Sequence, residues 1–179
     1  KPRLIQKILQ TVPDGDFIFY ADAGCRFGKF NELGTLCDKL DQSSSVLFYS
    51  KQIPFLEKTW TKSDLMVSMQ IDSKHMETNQ FEANRILCKV TPKSRFIINE
   101  WVNIMNIKQH HLFDDTISVV PNAPCFKDHR HDQSIFSLLM KKYNIVQSVN
   151  INGVYVVRNF RYFGPFFKIL LEFIFNTYF

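Results

Sequence analysis

Short apolar runs alternate with stretches of helical spacing along most of this chain. Residues 2–11 place their apolar side chains on one helical face, at Leu4, Ile5, Ile8 and Leu9. The run 17–21 is apolar at every position, which is typical of a strand buried on both faces, as in parallel sheets. A turn sequence, Pro-Asp-Gly-Asp at 13–16, separates the two. The chain therefore begins with a predicted helix followed by a predicted strand.

The same pattern continues to residue 157. It predicts strands at residues 46–49, 85–90, 145–149 and 154–157, with an extended piece at 119–121. It predicts helices at residues 30–40, from Pro92 behind the capping residue Thr91, and after residues 128–132, with a short helix behind the loop at 60–65. Strands that alternate with helices favour an α/β domain with a mixed, mostly parallel sheet and flanking helices.

The length of 179 residues suits one domain at roughly 100–200 residues per domain, and we assign residues 1–160 to it. Residues 161–179 are the most apolar part of the chain and contain only Lys168 and Glu172 as charged side chains after Arg161. We predict a C-terminal helix there, docked on the core or lying on a membrane surface. A spanning helix needs about 20 apolar residues, so this segment is slightly short.

The net charge is +5, and the basic residues are scattered without a cluster. Nucleic-acid-binding proteins carry a clustered basic face, so we expect no nucleic-acid partner. A dispersed positive charge also suits a small substrate that carries phosphate. The four cysteines lie far apart and form no CxxC pair, which favours buried, reduced thiols and a cytoplasmic protein.

Asp22 directly follows the apolar run 17–21, so it lies at the carboxyl end of that predicted strand. Ligands of open α/β sheets bind at this end, where a carboxylate can reach a metal or a ribose. An Asp in this place also ends strands simply as the first residue of an Asx turn. Both interpretations stay open.

A second polar cluster, HRHDQS at 129–134, precedes the last predicted helix. A helix N-terminus attracts phosphate or carboxylate, although Asp132 alone also explains a cap. Cys125, His129 and His131 are residue types that bind zinc, but no partner pair with finger-like spacing accompanies them. The His-x-His-Asp string is also similar to part of the motif of dinuclear metal hydrolases.

Trp60, Lys62 and Asp64 form a third cluster in a predicted loop, where a tryptophan is either a platform for a sugar ring or a core residue. Gln80 and Asn84 lie four residues apart, and we expect them on a solvated helix face. The pairs His110-His111 and Asp114-Asp115 are expected at the surface.

Four segments together resemble nucleotide-sugar glycosyltransferases of the GT-A type, in particular a group of bacteria and large DNA viruses that includes capsular polysaccharide enzymes. The segments are FIFYADAGC at 17–25, WTKSDL at 60–65, RFIINEW at 95–101 and HRHDQSIFSLL at 129–139. Their order and spacing fit over about residues 1–143, and the last segment is the most specific. The resemblance implies a Rossmann-like mixed sheet that binds a nucleotide-diphosphate sugar.

The resemblance also implies roles for individual residues. In this family an Asp-x-Asp motif holds manganese or magnesium against the diphosphate; here Asp22 matches the first Asp and Gly24 stands in place of the second. Asp132 matches a catalytic Asp that faces the transferred sugar. The implied donor-binding residues are Asp22, Ala23, Gly24, His131 and Gln133; the metal ligands are Asp22 and His129; the acceptor-binding residues are Trp60, Lys62 and Asp64.

We therefore expect a glycosyltransferase of the hexosyltransferase type that moves a sugar from a nucleotide-sugar donor to a glycan or glycoprotein acceptor in polysaccharide biosynthesis. A non-catalytic domain that binds carbohydrate or phosphate, and a metal-dependent hydrolase, are the alternatives. Because the chain begins at a helix just before the Asp22 strand, we expect the first strand or strands of the fold to be missing, an apolar sheet edge to be exposed, and this fragment alone to be inactive. The apolar tail is expected to make any membrane contact.

Overall fold

The computed structural model describes residues 1–28, 32–106 and 110–156. The helices of these ranges are α1 (Pro2–Leu9), α2 (Leu33–Asp41), α3 (Glu57–Trp60), α4 (Ser63–Ser68), α5 (Pro92–Asn106) and α6 (His131–Tyr143). The strands are β1 (Phe17–Ala21), β2 (Cys25–Phe27), β3 (Phe48–Ser50), β4 (Gln52–Leu56), β5 (Asn79–Phe81), β6 (Arg85–Lys89), β7 (Val146–Ser148) and β8 (Val154–Val156). Short 3-10 helices lie at Ser73–Glu77 and His110–Leu112.

The central sheet has four strands in the order β1-β6-β3-β7. Strand β6 pairs antiparallel with both β1 and β3, whereas β3 and β7 run parallel. The predicted α/β fold with a mixed sheet and flanking helices is confirmed, but the expectation of a mostly parallel sheet is wrong. An apolar run indicates burial on both faces and carries no information about the direction of the neighbouring strand.

Strand β1 lies at one edge of this sheet in the described part of the chain, and its two sets of alternate side chains enter two different cores. Ile18 and Tyr20 pack against a large core with residues of α1, α5 and α6. Phe17, Phe19 and Ala21 pack against a smaller core with α2. Successive strand residues point to opposite faces, so helices cover both faces of the sheet. The face that carries Tyr20 is the face that α6 covers.

Helix α5 begins as the sequence predicts. The Ser94 backbone N–H donates to Thr91 Oγ1 at 3.0 Å, and Pro92 occupies the first turn, where its missing N–H costs nothing. Ile97 and Trp101 are fully buried on its inward face. Helix α2 begins at Leu33, later than predicted, and residues 29–31 lie outside the described residues. The segment 119–121 forms no strand.

The placement predicted for Gln80 and Asn84 is wrong. Gln80 lies in the short strand β5 and is fully buried, and Asn84 lies in the turn between β5 and β6. A spacing of four residues fits a helix face, but here it spans a strand and a tight turn instead. The error matters because Gln80 is a central hydrogen-bonding residue of the candidate site.

All four cysteines are free, and the burial expected of them holds for Cys25 and Cys88, whereas Cys37 is half-buried and Cys125 is exposed. No helix among the described residues has the length and apolar character that crossing a bilayer requires. The predicted C-terminal helix at 161–179, and the end of the predicted domain at 157–160, lie outside the described residues.

Substitution of Phe136 tests the packing of the large core. Its ring is fully buried and lies 5.1 Å from Trp101 and 6.4 Å from Phe48, centroid to centroid. We expect Phe136→Ala to lower the free energy of unfolding by about 3–5 kcal/mol, because it removes buried apolar surface and leaves a cavity. Phe96→Ala is the matched control, since Phe96 is 56% exposed. Urea denaturation that shows equal losses for both variants would contradict this core.

Candidate functional site

Asp22 follows β1 on the α6 face of the sheet. It lies two residues beyond Tyr20, and residues two apart along an extended strand share a face. The Tyr20 hydroxyl donates to Asp22 Oδ1 at 2.6 Å. Burial, and next this bond to the carboxylate, raise the pKa of Tyr20, so its phenol keeps its proton. Tyr20 therefore holds the carboxylate of Asp22 in a fixed orientation.

Asp132 lies in the first turn of α6, and the fold brings it to Asp22. The Lys1 ammonium contacts both carboxylates, at 3.0 Å from Asp132 Oδ2 and 3.4 Å from Asp22 Oδ1. The two acids come from positions 110 residues apart in sequence. Two carboxylates that share one cation define a negatively charged position between the end of β1 and the start of α6.

Ala23 and Gly24 form the turn that follows Asp22. The Cys25 backbone N–H donates to the Asp22 carbonyl at 2.8 Å and closes this turn. No side-chain oxygen is available at Gly24, where the related motif has its second Asp. The backbone carbonyl of Asp22 is thus bonded within the turn, whereas the Asp22 carboxylate contacts Tyr20 and Lys1.

Gln80 connects the loop around Trp60 to the start of α6. Its side-chain amide donates to Thr61 Oγ1 at 2.9 Å and to Glu57 Oε2 at 3.0 Å. Its oxygen accepts from Gln133 Nε2 at 2.9 Å. Gln133, predicted to bind the donor, is thus held in place next to Asp132.

Beneath this connection lies a buried ion pair. Glu57 is fully buried, and Lys141 Nζ contacts its Oε1 at 2.7 Å. Thr61 and Gln80 satisfy the other carboxylate oxygen. Burial lowers the pKa of Lys141, which the carboxylate of Glu57 opposes. Removing one partner of such a pair would leave an uncompensated charge in the interior. Sequence reasoning missed this group, since a single Glu and a single Lys 84 residues apart give no pattern.

Trp60 is half-buried and already carries partners from its own chain. The Phe55 ring lies 4.9 Å from it, and the Arg130 guanidinium lies 4.1 Å from its centroid. The Arg130 backbone N–H also donates to the Trp60 carbonyl. A cation on an aromatic ring is a stabilising contact, so Trp60 helps to anchor the segment that leads into α6. Its predicted role as a sugar platform stays a prediction.

Lys62 and Asp64 are both buried, and their charged groups bind the segment 111–120. Lys62 Nζ donates to the His111 carbonyl at 2.8 Å and lies 3.4 Å from Asp114. The Asp64 carboxylate accepts the backbone N–H groups of Val119 and Val120, at 2.9 and 2.7 Å. These two residues fix that segment against α4, and their predicted acceptor-binding roles stay predictions.

His129 and His131 differ sharply in environment. His129 is only 2% exposed, and its Nδ1 accepts the Lys62 backbone N–H at 3.3 Å. Burial, followed by the charges of His131 and Lys62, lowers the pKa of His129 to about 4, so its ring is neutral near pH 7. His131 is exposed and pairs with Asp115, Nε2 to Oδ1, at 2.7 Å. Residues 110–111 and 114–115 are expected at the surface. Of these, Asp114 contacts Lys62 and Asp115 contacts His131.

No three His, Cys, Asp or Glu side chains in the described ranges meet in a geometry that would hold a metal ion. Cys125 lies against Thr59, and the rings of His129 and His131 are engaged separately. This arrangement does not favour the zinc set or the dinuclear hydrolase. Asp22 and Asp132 are carboxylate ligands available to a divalent cation. The metal roles predicted for Asp22 and His129 stay predictions, and the His129 side chain is 2% exposed.

No protein-family profile matches the chain, and no curated protein matches it either. Among solved structures, the chain is similar to mouse xyloside xylosyltransferase 1 in its apo form, at 13% identity and a TM-score of 0.48. The match covers 83% of this chain and 50% of that one, so the chain spans about half the length of that protein. At this identity and TM-score the likeness carries no argument about activity, which has to be inferred from the chain's own residues.

The buried ring of His129 predicts a dependence of stability on pH. Because its pKa lies at about 4 in the folded state and near its ordinary value of 6.5 when unfolded, the unfolded chain binds this proton first as the pH falls. The stabilising contribution is complete above pH ~6.5 and is lost between there and pH ~4.

Between pH 7 and pH 5, we expect the free energy of unfolding to fall by about 2 kcal/mol more in the wild type than in His129→Asn. Urea denaturation at both pH values measures this difference. Asparagine keeps an oxygen that accepts the Lys62 N–H. Equal losses in the two proteins would show that His129 titrates freely in the folded state.

Proposed function

We propose that this chain forms the part of a glycosyltransferase that holds the diphosphate of a nucleotide-sugar donor, with Asp22 and Asp132 on either side of the reacting sugar phosphate. The single observation that carries the proposal is that these two carboxylates share one cation, the Lys1 ammonium. Both are the residues that the resemblance to GT-A glycosyltransferases singles out.

The donor set fits a divalent cation bound together with phosphate. Magnesium commonly takes one or two protein carboxylates and completes its coordination with substrate phosphates and water. Asp22 and Asp132 would supply those carboxylates, and the Lys1 ammonium marks where positive charge is already favoured. Magnesium or manganese there would neutralise the charge that develops on the leaving diphosphate.

The start of α6 supplies a second group of phosphate ligands. Arg130 at the N-cap makes no side-chain capping bond, so the first N–H groups of this 13-residue helix lack a side-chain cap. Such N–H groups, together with the helix dipole, favour a phosphate. Gln133 is held toward this end by Gln80. His131 lies in the first turn as well, and a phosphate contact from it is part of the proposal.

Asp132 is the proposed catalytic residue. In this proposal Asp132 Oδ2, which contacts Lys1, faces the cation, and Oδ1 either accepts the proton of the acceptor hydroxyl or binds a hydroxyl of the transferred sugar. Tyr20 keeps Asp22 oriented by its short hydrogen bond. Transfer of a hexosyl unit to a glycan or glycoprotein acceptor in polysaccharide biosynthesis completes the proposal, and the four free thiols suit a cytoplasmic site of action.

Asp132→Asn tests this proposal in the full-length protein. We expect nucleotide release from a panel of nucleotide sugars, assayed with and without manganese, to fall by about 10²-fold or more, because the amide keeps the shape and loses the charge. Asp41→Asn on the exposed end of α2 is the matched control and should keep wild-type release. Thermal unfolding of both variants checks the fold.

Each outcome distinguishes the functional classes. Wild-type turnover in Asp132→Asn would refute its catalytic role. Thermal shifts with nucleotide sugars but no release from the wild type would favour a silent binding domain. If the wild type shows no thermal shift and no nucleotide release with any nucleotide sugar of the panel, the transferase proposal is overturned. Phosphoester hydrolysis would support the hydrolase instead.

A further inference from the structure

A cavity of about 310 Å³ opens beside the candidate site. Its walls are the segments 115–118 and 126–129, with Lys62 and Asn122 between them. Cavities of this volume lie at the small end of those that bind ligands in proteins. None of the residues proposed to hold the donor diphosphate lines it, so the cavity is a separate feature of the molecule.

The charges of the lining cancel. Lys62 and Lys127 are the cations of the lining, and Asp115 and Asp128 are the anions. Lys62 and Asp115 are moreover paired with Asp114 and His131 outside the lining. A phosphate or a metal ion would meet no excess of opposite charge here. The lining therefore favours an uncharged ligand.

The lining also mixes apolar surface with hydrogen-bonding groups. Ile117 is 93% exposed and Phe126 is half-buried, and both line the cavity. The Thr116 and Ser118 hydroxyl groups donate to Asp114 and Asn122, so their oxygens offer a ligand acceptors, and the Asn122 amide nitrogen is a donor. A pyranose ring has the matching character, since its C–H faces pack on apolar side chains while its hydroxyl groups need both donors and acceptors.

A hydrogen bond between Asp115 and His131 links the cavity to the first turn of α6. Asp115 lines the cavity, and its Oδ1 accepts from His131, which precedes Asp132 directly in α6. The contact therefore joins the cavity wall to the helix turn that carries Asp132.

We propose that this cavity binds an uncharged sugar unit of the acceptor glycan. The inference rests on the proposed function and deepens it by naming the substrate class on the acceptor side. Asp128, Thr116 and Ser118 bind the hydroxyl groups, and Ile117 and Phe126 pack against the ring.

The test measures binding of three uncharged disaccharides, lactose, maltose and cellobiose, by saturation-transfer NMR on the full-length protein, with inorganic phosphate as the anionic probe. We expect at least one disaccharide to bind, and Asp128→Ala to weaken disaccharide binding about tenfold or more by removing an acceptor.

Asp72→Ala is the matched control, because Asp72 is also an exposed carboxylate that accepts a nearby backbone N–H, but it lies away from the cavity. Ser118→Trp, which fills the cavity, should abolish binding.

The outcomes separate this inference from the proposed function, because binding of nucleotide sugar with manganese is measured in the same variants. Loss of disaccharide binding with intact donor binding supports the cavity as the sugar site. Disaccharide binding that survives both Asp128→Ala and Ser118→Trp, phosphate binding that competes with it, or no disaccharide binding at all, with or without donor, overturns the inference. In each of those cases intact donor binding leaves the proposed function standing.

Discussion

The arrangement of the site depends on the buried ion pair between Glu57 and Lys141. The Glu57 carboxylate binds Lys141 of α6, and through Thr61 and Gln80 it fixes the loop after α3. Gln80 in turn holds Gln133 at the other end of α6. A buried charge is tolerated only when its partners are complete, so this network couples the position of the Trp60 loop to that of the helix start. Displacing either would leave Glu57 or Lys141 unpaired in the interior.

Sheet geometry accounts for the other half of the site. Alternate residues of β1 enter two cores, and Tyr20 and Asp22 fall on the α6 side by their spacing alone. The antiparallel pairing of β1 with β6 does not alter this, because it changes the direction of the neighbour and not the alternation of side chains. The carboxyl end of β1 and the start of α6 consequently meet, and a single ammonium contacts both acids. The proposed acceptor cavity is lined by Asp115, which contacts His131, the residue before Asp132.

The fold class, most helices, and the positions of Asp22 at a strand end and Asp132 at a helix start are predictable because local patterns encode them. The patterns are the periodicity of α1, α5 and α6, a cap at Thr91, and an acid directly behind an apolar run. Other features depend on contacts distant in sequence. Gln80 was expected on a helix face at the surface, yet it is buried in β5 because its partners, Glu57, Thr61 and Gln133, come from three other segments. Lys62 and Asp64 carry the residue types of a binding loop, but their charged groups are used to hold segment 111–120. The direction of β1 relative to its neighbour is not predictable for the same reason. No local signal distinguishes a strand of a parallel sheet from one that pairs antiparallel, as β1 does with β6.

The most direct measurement of the central claim, that Asp22 and Asp132 bind one shared cation with the donor, is a double-mutant cycle on donor affinity. Dissociation constants would be measured calorimetrically in manganese for the nucleotide sugar that gives the largest thermal shift, using Asp22→Asn, Asp132→Asn and the double variant. Because both carboxylates act on the same ion, the double variant should lose less than the sum of the two single losses, with a coupling energy of about 1–3 kcal/mol. Losses that add within about 0.5 kcal/mol would show two independent residues and would contradict a shared cation site.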